Sequence, residues 1–355
     1  MLQVFSLTST LLSIYSALPL IGASPNVRSV PAAPPPAWVC GWNTCRFLPG
    51  NPPAVSPSSV YSSWDNVRYL EVFGASYTYT GPNIINPQPP FQTSCNGPNY
   101  IDLMTYQWNQ SLIETDNFAI SGSPVDWTLI CGDGPLQTAC GQNNDFVRQI
   151  DWYVGNFSTN KPAGWTPSNS LYLIAFGIND INYGYKNWSA ASPLIFKQYH
   201  ASFEQLYQLG ARNFVFVNVP PIDRSPTAVD DGTTIAADWK ADVIDFNGRL
   251  ELMIEAIGNK HTDATFFLYD MNGVFTSVLD NTAYSDITAG YIDTTHNCTV
   301  YADSYLGAPI PSMTYKSPDC PYAVPQYFWF SGYHPTYPLH NLTANELAFG
   351  LQHLV

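Results

Sequence analysis

The chain has 355 residues, of which 45% are hydrophobic and 15% aromatic, so it is long enough to bury a sizeable core. Its 27 acidic residues outnumber its 13 basic residues and give a net charge of −14. A surface that binds nucleic acid needs clustered lysine and arginine, and the sequence contains no such cluster. The composition therefore argues against nucleic acid as a partner.

The N-terminus has the pattern of a secretory signal peptide. Residues 2–21 are mostly apolar and are followed by small residues at 22–24, which predicts cleavage near Ala23 or Ser24. Serine and threonine interrupt the apolar run, which argues against a membrane anchor, and no second long apolar span follows. We therefore predict a signal peptide at 1–23, a Pro/Ser-rich extension at 24–63 and one folded domain at 64–355, with no membrane contact after cleavage.

Sequons and cysteines also favour a secreted, extracellular protein. Glycosylation is predicted at five Asn-x-Ser/Thr sequons, which are Asn109, Asn156, Asn187, Asn297 and Asn341. Seven cysteines suggest disulfides in an oxidising compartment, and close spacing favours Cys131–Cys140 and Cys298–Cys320. Two of the remaining three cysteines would pair and one would be left over; these three are Cys40, Cys45 and Cys95. We expect no zinc site, because no C-x-x-C pair occurs and the histidines are scattered.

Strand-like and helix-like segments alternate along the folded domain. Strands are predicted at 69–73, 117–121, 171–176, 214–219 and 265–269. Helices are predicted at 98–108, at 144–154, from 195 to a stop at Gly210, from 239 to a stop at Gly258, and at 338–351. This alternation predicts the α/β class, specifically a three-layer α/β/α sandwich with a central parallel sheet.

Three segments carry the residue types that ester hydrolysis needs. Ser76 comes just after strand 69–73, and Asn179 follows strand 171–176, so both should lie at the carboxyl edge of the sheet, where ligands bind in parallel α/β folds. His334 lies near the C-terminus and is followed by Pro335. A nucleophile, an amide donor and a base are thereby available, although each residue alone has an ordinary explanation as a turn, cap or surface residue.

From about Trp64 onward, the chain resembles the SGNH, or GDSL-type, hydrolases. That family is named for a serine in a G-D-S block, a glycine, an asparagine in G-x-N-D and a histidine in D-x-x-H-P. Four residues of this chain match in the same order, namely Ser76, Gly122, Asn179 and His334. The segment 210–221 also resembles a core segment of fungal secreted acetylesterases of carbohydrate esterase family sixteen.

The resemblance implies a flavodoxin-like fold and a set of residue roles. Ser76 would be the nucleophile and His334 the general base. The backbone N–H groups of Ser76 and Gly122, with the Asn179 amide, would form the oxyanion hole. The implied substrates are acetyl or other short acyl esters on plant cell-wall carbohydrate, as small molecules or oligosaccharides. The resemblance implies no metal and no cofactor.

Two family positions are occupied by residues that carry no charge. The aspartate of the G-D-S block is Ala75, and the acid three residues before the histidine is Ser331. A neutral serine cannot supply the charge that stabilises an imidazolium. A backbone carbonyl, a water molecule or Ser331 could orient the ring, or an acid elsewhere could do so, with Asp270 as a candidate.

The same two departures leave other functions open. The chain could be a catalytically weakened or inactive secreted binding protein on this fold, or a lipase-like esterase of lipid esters. An approach of about 3 Å between the Ser76 Oγ and the His334 Nε2 would favour the enzyme.

Overall fold

The structure is a computed structural model that describes residues 60–81, 93–130, 144–230, 233–304 and 312–353. Three short backbone segments at 39–40, 45–46 and 54–56 are also described. The predicted signal peptide and most of the predicted extension lie outside the described residues. No described helix is long and apolar enough to cross a membrane.

A six-stranded sheet forms the centre of the molecule. In chain order the strands are β1 (Val39–Cys40), β2 (Cys45–Arg46), β3 (Ala54–Ser56), β4 (Tyr69–Gly74), β5 (Glu114–Asn117), β6 (Ser170–Ala175), β7 (Asn213–Val217) and β8 (Thr265–Tyr269). The sheet order is β3-β8-β7-β6-β4-β5, and β1 pairs with β2 in a separate two-stranded sheet. Strands β4 to β8 are parallel to their neighbours, whereas β3 adds an antiparallel edge next to β8. The predicted extension therefore contributes a strand to the sheet.

Helices cover both faces of this sheet. They are α1 (Tyr100–Tyr106), α2 (Trp127–Ile130), α3 (Phe146–Asn160), α4 (Ile178–Gly184), α5 (Trp188–Gln208), α6 (Pro226–Asp230), α7 (Thr233–Lys260), α8 (Met271–Asp280), α9 (Thr299–Ser304) and α10 (Tyr337–His353). Side chains alternate along each strand, so Leu171 and Leu173 join a core with α1, α8 and α10, while Tyr172 and Ile174 join a core with α3, α5 and α7. The predicted three-layer α/β/α sandwich is confirmed.

Several predicted element boundaries are wrong. Helix α3 runs on to Asn160 rather than ending at 154, and α5 and α7 begin at Trp188 and Thr233 rather than at 195 and 239. The strand predicted at 117–121 is instead β5, which ends at Asn117. The apolar Phe118 lies beyond the last strand pair and stacks on Phe73, with ring centroids 5.4 Å apart, so its apolarity reflects packing rather than a strand. Helix α7 continues past the predicted stop at Gly258 to Lys260. Burial of Ile257 helps to offset the roughly 1 kcal/mol that a glycine costs inside a helix.

The disulfide prediction can be checked at one pair. Cys298 and Cys320 are joined, as their spacing suggested. Cys95, one of the three cysteines from which one was expected to be left over, is a buried free thiol. The pair Cys131–Cys140 and the side chains of Cys40 and Cys45 lie outside the described residues.

Two buried carboxyl groups link the stability of the fold to pH. Asp102 lies in the first turn of α1, and Asp180 lies in the first turn of α4. Burial raises the pKa of both groups to about 7. An unfolded aspartate has a pKa of about 4, so the folded chain binds these protons more tightly. Their stabilising contribution is therefore complete below about pH 4 and is lost as the pH rises through about 7.

We expect the variant Asp102→Asn to gain stability relative to the parent chain as the pH rises from about 4 to about 7. The comparison is made as a difference in Tm, because buried histidines such as His340, whose pKa is lowered to about 3, shift stability in the opposite direction. The exposed Asp286→Asn removes the same charge and is the matched control. A Tm difference for Asp102→Asn that does not change with pH, or that matches the control, would contradict the assignment.

Candidate active site

Neighbouring strands bring the predicted site residues to one edge of the sheet. Ser76 follows β4, Gly122 follows β5 and Asn179 follows β6, and β4 lies between β5 and β6. Because parallel strands point their carboxyl ends the same way, these residues share a rim. At Gly177, φ is +123° and an added Cβ would lie 2.4 Å from the Val219 Cγ2, so only glycine allows the turn that delivers Asn179.

A tight turn holds Ser76 at the start of its loop. The N–H groups of Thr78 and Tyr79 donate to the Ala75 carbonyl at 3.0 and 2.9 Å. The Ser94 hydroxyl donates to the Ser76 carbonyl at 2.9 Å. Only 5% of the Ser76 surface is exposed, so its hydroxyl depends on protein partners for its orientation.

The loop that carries His334 is fixed at several points. The Phe330 N–H donates to the His334 carbonyl at 2.7 Å, which closes the turn. The Thr227 N–H, from α6, donates to the Gly332 carbonyl at 2.9 Å. The Tyr77 hydroxyl donates to the Tyr333 carbonyl, and the Tyr77 ring packs 5.6 Å from the imidazole. The histidine therefore faces the serine loop from a rigid support.

The imidazole lies between two hydroxyl groups. The His334 Nε2 is 2.7 Å from the Ser76 Oγ, and the His334 Nδ1 is 2.8 Å from the Ser331 Oγ. Burial lowers the pKa of His334 to about 4, so the ring is neutral at neutral pH. If Nδ1 carries the proton and donates to Ser331, Nε2 is left to accept the Ser76 hydroxyl proton, which is the arrangement that a general base requires.

Three candidate hydrogen-bond donors lie on the loops that follow β4, β5 and β6. In the described part of the chain, the N–H groups of Ser76 and Gly122 have no acceptor. Gly122 has a φ of +83°, although an added Cβ would meet nothing within 4 Å, so the conformation rather than the space favours glycine there. One N–H of the Asn179 amide donates to the Ser123 carbonyl at 3.1 Å, and the amide has a second N–H. This arrangement suits a developing oxyanion.

The two remaining acids near these segments serve as local acceptors. Asp180 accepts from the Val125 N–H at 2.9 Å, which ties the first turn of α4 to the loop after β5. Asp270 accepts from the Gly273 N–H at 2.9 Å and from the Asn218 amide at 2.7 Å. Asp270 therefore caps α8, and the described partner of the His334 Nδ1 is the Ser331 hydroxyl.

The side chain of Gln149, which was not predicted as a site residue, contacts both the strand before Ser76 and the loop that carries Gly122 and Ser123. It exchanges two hydrogen bonds with the backbone of Gly74, each 2.9 Å, and its Nε2 lies 3.2 Å from the Ser123 Oγ. The available signal was a polar residue on the apolar face of a helix, since Phe146, Ile150 and Gln149 share one buried face of α3.

A small cavity lies beside the site. Its volume is about 20 Å³, and its walls include the residues that immediately precede Ser76 and Asn179, which are Ala75 and Ile178. Val219, Pro220 and Met271 are among the other residues of a mostly apolar lining. A space of this size holds a group about as large as one water molecule or methyl group.

Comparison with known proteins assigns the chain to a family. The model for GDSL-like lipase/acylhydrolase matches residues 70–347, which include every site residue described above. The chain belongs to the GDSL-like lipase/acylhydrolase family. An acetylesterase from Thermothelomyces thermophilus is 26% identical over 301 residues, which cover 80% of this chain and 88% of that protein. A GDSL esterase/lipase from Arabidopsis thaliana is 24% identical over 198 residues, covering 52% of this chain and 54% of the relative.

Comparison with solved structures gives weaker matches. A putative GDSL-like lipase from Parabacteroides merdae has a TM-score of 0.43 at 13% identity, covering 83% of this chain and 100% of that chain. A catalytic mutant of an acetylxylan esterase from Geobacillus stearothermophilus has a TM-score of 0.42 at 12% identity, covering 80% and 94%. From its family and its relatives, this GDSL-family chain is a carboxylic ester hydrolase.

Proposed function

We propose that the chain is a secreted serine esterase that removes acetyl or other short acyl groups from plant cell-wall carbohydrate through an acyl-serine intermediate. The observation that carries this proposal is the 2.7 Å approach of the His334 Nε2 to the Ser76 Oγ, in a pair that is almost fully buried. This geometry favours an enzyme over a binding protein that has lost its activity.

The proposed reaction uses one proton carrier and one nucleophile. The His334 Nε2 takes the hydroxyl proton as the Ser76 Oγ attacks the ester carbonyl carbon. The N–H groups of Ser76 and Gly122 and the Asn179 amide donate to the carbonyl oxygen as it becomes negative. The C–O bond then breaks, and the alcohol leaves with the proton from Nε2. Water attacks the acyl-Ser76 by the same route, which releases the carboxylic acid and restores both side chains.

The size of the neighbouring cavity favours short acyl groups. We infer that this cavity receives the acyl group, because Ala75 and Ile178, which line it, precede Ser76 and Asn179 in the chain. Its volume of about 20 Å³ suits an acetyl methyl group. This supports an acetylesterase over a lipase that acts on long-chain lipid esters, in line with the name of the Thermothelomyces relative.

Secretion and a carbohydrate substrate rest on the sequence and on particular surface positions. The predicted signal peptide and the Cys298–Cys320 disulfide are typical of an extracellular protein. Asn156 and Asn187, two of the five sequon asparagines, are exposed. The carbohydrate substrate follows from the likeness of segment 210–221 to fungal acetylesterases.

The proposal is tested with an ester series and a covalent probe. We expect p-nitrophenyl acetate to be cleaved faster than the butyrate and octanoate esters, and acetylated xylo-oligosaccharides to release acetate. An organophosphonate should label Ser76, as peptide mass spectrometry can show. Labelling that persists in Ser76→Ala would remove Ser76 from the role, and a preference for octanoate would overturn the short-acyl assignment.

Ser331 gives a separate prediction about the pH dependence of the reaction. Its hydroxyl can accept from Nδ1–H or donate to Nδ1, so it neither fixes the imidazole tautomer nor supplies charge. In Ser331→Asp, an adjacent carboxylate should raise the pKa of His334 from about 4, because an opposite charge favours the protonated ring. Since the base must be neutral to act, the acid limb of the pH–rate profile should move to higher pH. The optimal kcat should rise about tenfold or more, given the large cost of losing such an acid in a serine hydrolase.

The neutral variant Ser331→Asn is the matched control, because it keeps a polar side chain of the same size as aspartate without the charge. It should leave the acid limb where it is. If folded Ser331→Asp shows the same rate and the same pH profile as the parent chain, another group already orients the ring.

A further inference from the structure

We propose that Gln149 is a positioning residue. It fixes the relative position of two segments, which are the nucleophile turn that carries Ser76 and the oxyanion loop that carries Gly122 and Ser123. The proposal rests on the function given above, since it assigns Gln149 a task in the same reaction. Gln149 is fully buried and its side chain makes four hydrogen bonds, yet it touches none of the reacting atoms. Its influence on the reaction would therefore pass through the backbone of the two loops.

The amide of Gln149 extends the sheet where β5 ends. Strand β5 pairs with β4 only as far as Val72 opposite Asn117. At Gly74, the Gln149 Oε1 accepts from the backbone N–H and the Nε2 donates to the backbone carbonyl, each at 2.9 Å. The Ile120 N–H, after β5, also donates to the Gly74 carbonyl at 3.2 Å. The Gln149 side chain thus supplies the acceptor that a further β5 residue would have offered to the Gly74 N–H and gives the Gly74 carbonyl a second donor. Gly74 lies two residues before Ser76, so this contact fixes the end of the strand from which the nucleophile turn begins.

The same amide reaches the oxyanion loop. The Gln149 Nε2 lies 3.2 Å from the Ser123 Oγ and 3.0 Å from the Asn144 carbonyl. Ser123 follows Gly122, and its carbonyl accepts from the Asn179 amide at 3.1 Å. One buried side chain is therefore linked, directly or through Ser123, to the segments that carry all three oxyanion donors.

The chemistry of the contacts fixes the orientation of this amide. The Gly74 N–H is a donor and must face Oε1, whereas the carbonyls of Gly74 and Asn144 are acceptors and must face Nε2. A carboxylate at this position would accept from Gly74 but would repel the two carbonyls. A protonated carboxyl could make both kinds of contact. This difference yields a test that a merely structural role would not satisfy.

We expect Gln149→Met to lower kcat for p-nitrophenyl acetate by about 10- to 100-fold with little change in KM, because an error of about 1 Å in placement can cost about that much. In Gln149→Glu, burial beside two carbonyls should raise the pKa of the introduced carboxyl. Its kcat should be low at pH 8 and recover toward pH 5, whereas the loss in Gln149→Met should not depend on pH. Rates are expressed per folded molecule, with folding checked by circular dichroism.

Asn213 provides a matched control at the opposite end of the sheet. It is also fully buried, and its amide donates to the carbonyls of Pro167 and Ser170 at 2.7 and 3.0 Å. Asn213→Asp should lower Tm in a pH-dependent way while its kcat per folded molecule stays within about twofold of the parent chain. If Gln149→Glu shows the same behaviour as Asn213→Asp, the role is structural and the proposal is overturned.

A milder variant covers the case in which the Gln149 variants do not fold. Ser123→Ala removes only the hydroxyl that Gln149 reaches in the oxyanion loop, and we expect a several-fold loss of kcat with unchanged KM. An unchanged kcat would overturn the proposal.

Ser76→Ala separates this inference from the proposed function. Activity that survives in Ser76→Ala defeats both, whereas loss in Ser76→Ala with normal kcat in folded Gln149→Met defeats only the positioning role.

Discussion

Replacing Ser76 with alanine should lower kcat for p-nitrophenyl acetate by roughly 10⁴- to 10⁶-fold, because the variant has no oxygen to form the acyl intermediate. His334→Ala should cause a loss in the same range, since the 2.7 Å contact makes the imidazole the acceptor of the Ser76 proton. The double variant should be no worse than either single variant. Residues that act as one unit lose their joint effect when either is removed.

Controls separate this loss from a general effect on folding. His296→Ala removes an imidazole whose side chain is 73% exposed, and it should leave kcat within about twofold. The far-ultraviolet circular dichroism of Ser76→Ala should match that of the parent chain. A double variant that loses the product of the two single effects would show that Ser76 and His334 act independently, which the observed contact does not allow.

The fold could be predicted largely from periodicity in the sequence. Apolar runs such as 171–176 have no polar alternation because both faces of the strand are buried. The strand before Gly122 was placed too late, because β5 is polar and its apolar neighbours follow it. Strand β3 was missed because three residues in a Pro/Ser-rich stretch carry too little pattern to predict an edge strand.

The positions of Ser76 and Asn179 could be predicted from the sequence, but the contacts between site residues could not. Ser76 and Asn179 follow apolar strands, so their place at the sheet edge could be derived from topology. The contact between Ser331 and His334 depends on how a short turn closes, and sequence spacing alone left several ring-orienting groups open. Gln149 contacts residues 75 and 26 positions away in the chain, and such distant pairing leaves no local pattern.

Asn179→Ala should lower kcat by about 10²- to 10³-fold while KM changes little, because the lost donor acts on charge that develops only in the transition state. The Asn179 side chain is 97% buried, so solvent cannot readily replace its N–H. Asn179→Asp keeps the shape but replaces a donor with an acceptor, and near neutral pH it should be at least as impaired. Both variants should also bind a phosphonate transition-state analogue more weakly, in proportion to the loss of kcat. If KM rises while kcat is preserved, the amide binds the ground-state substrate instead. The oxyanion would then be held by the N–H groups of Ser76 and Gly122 alone.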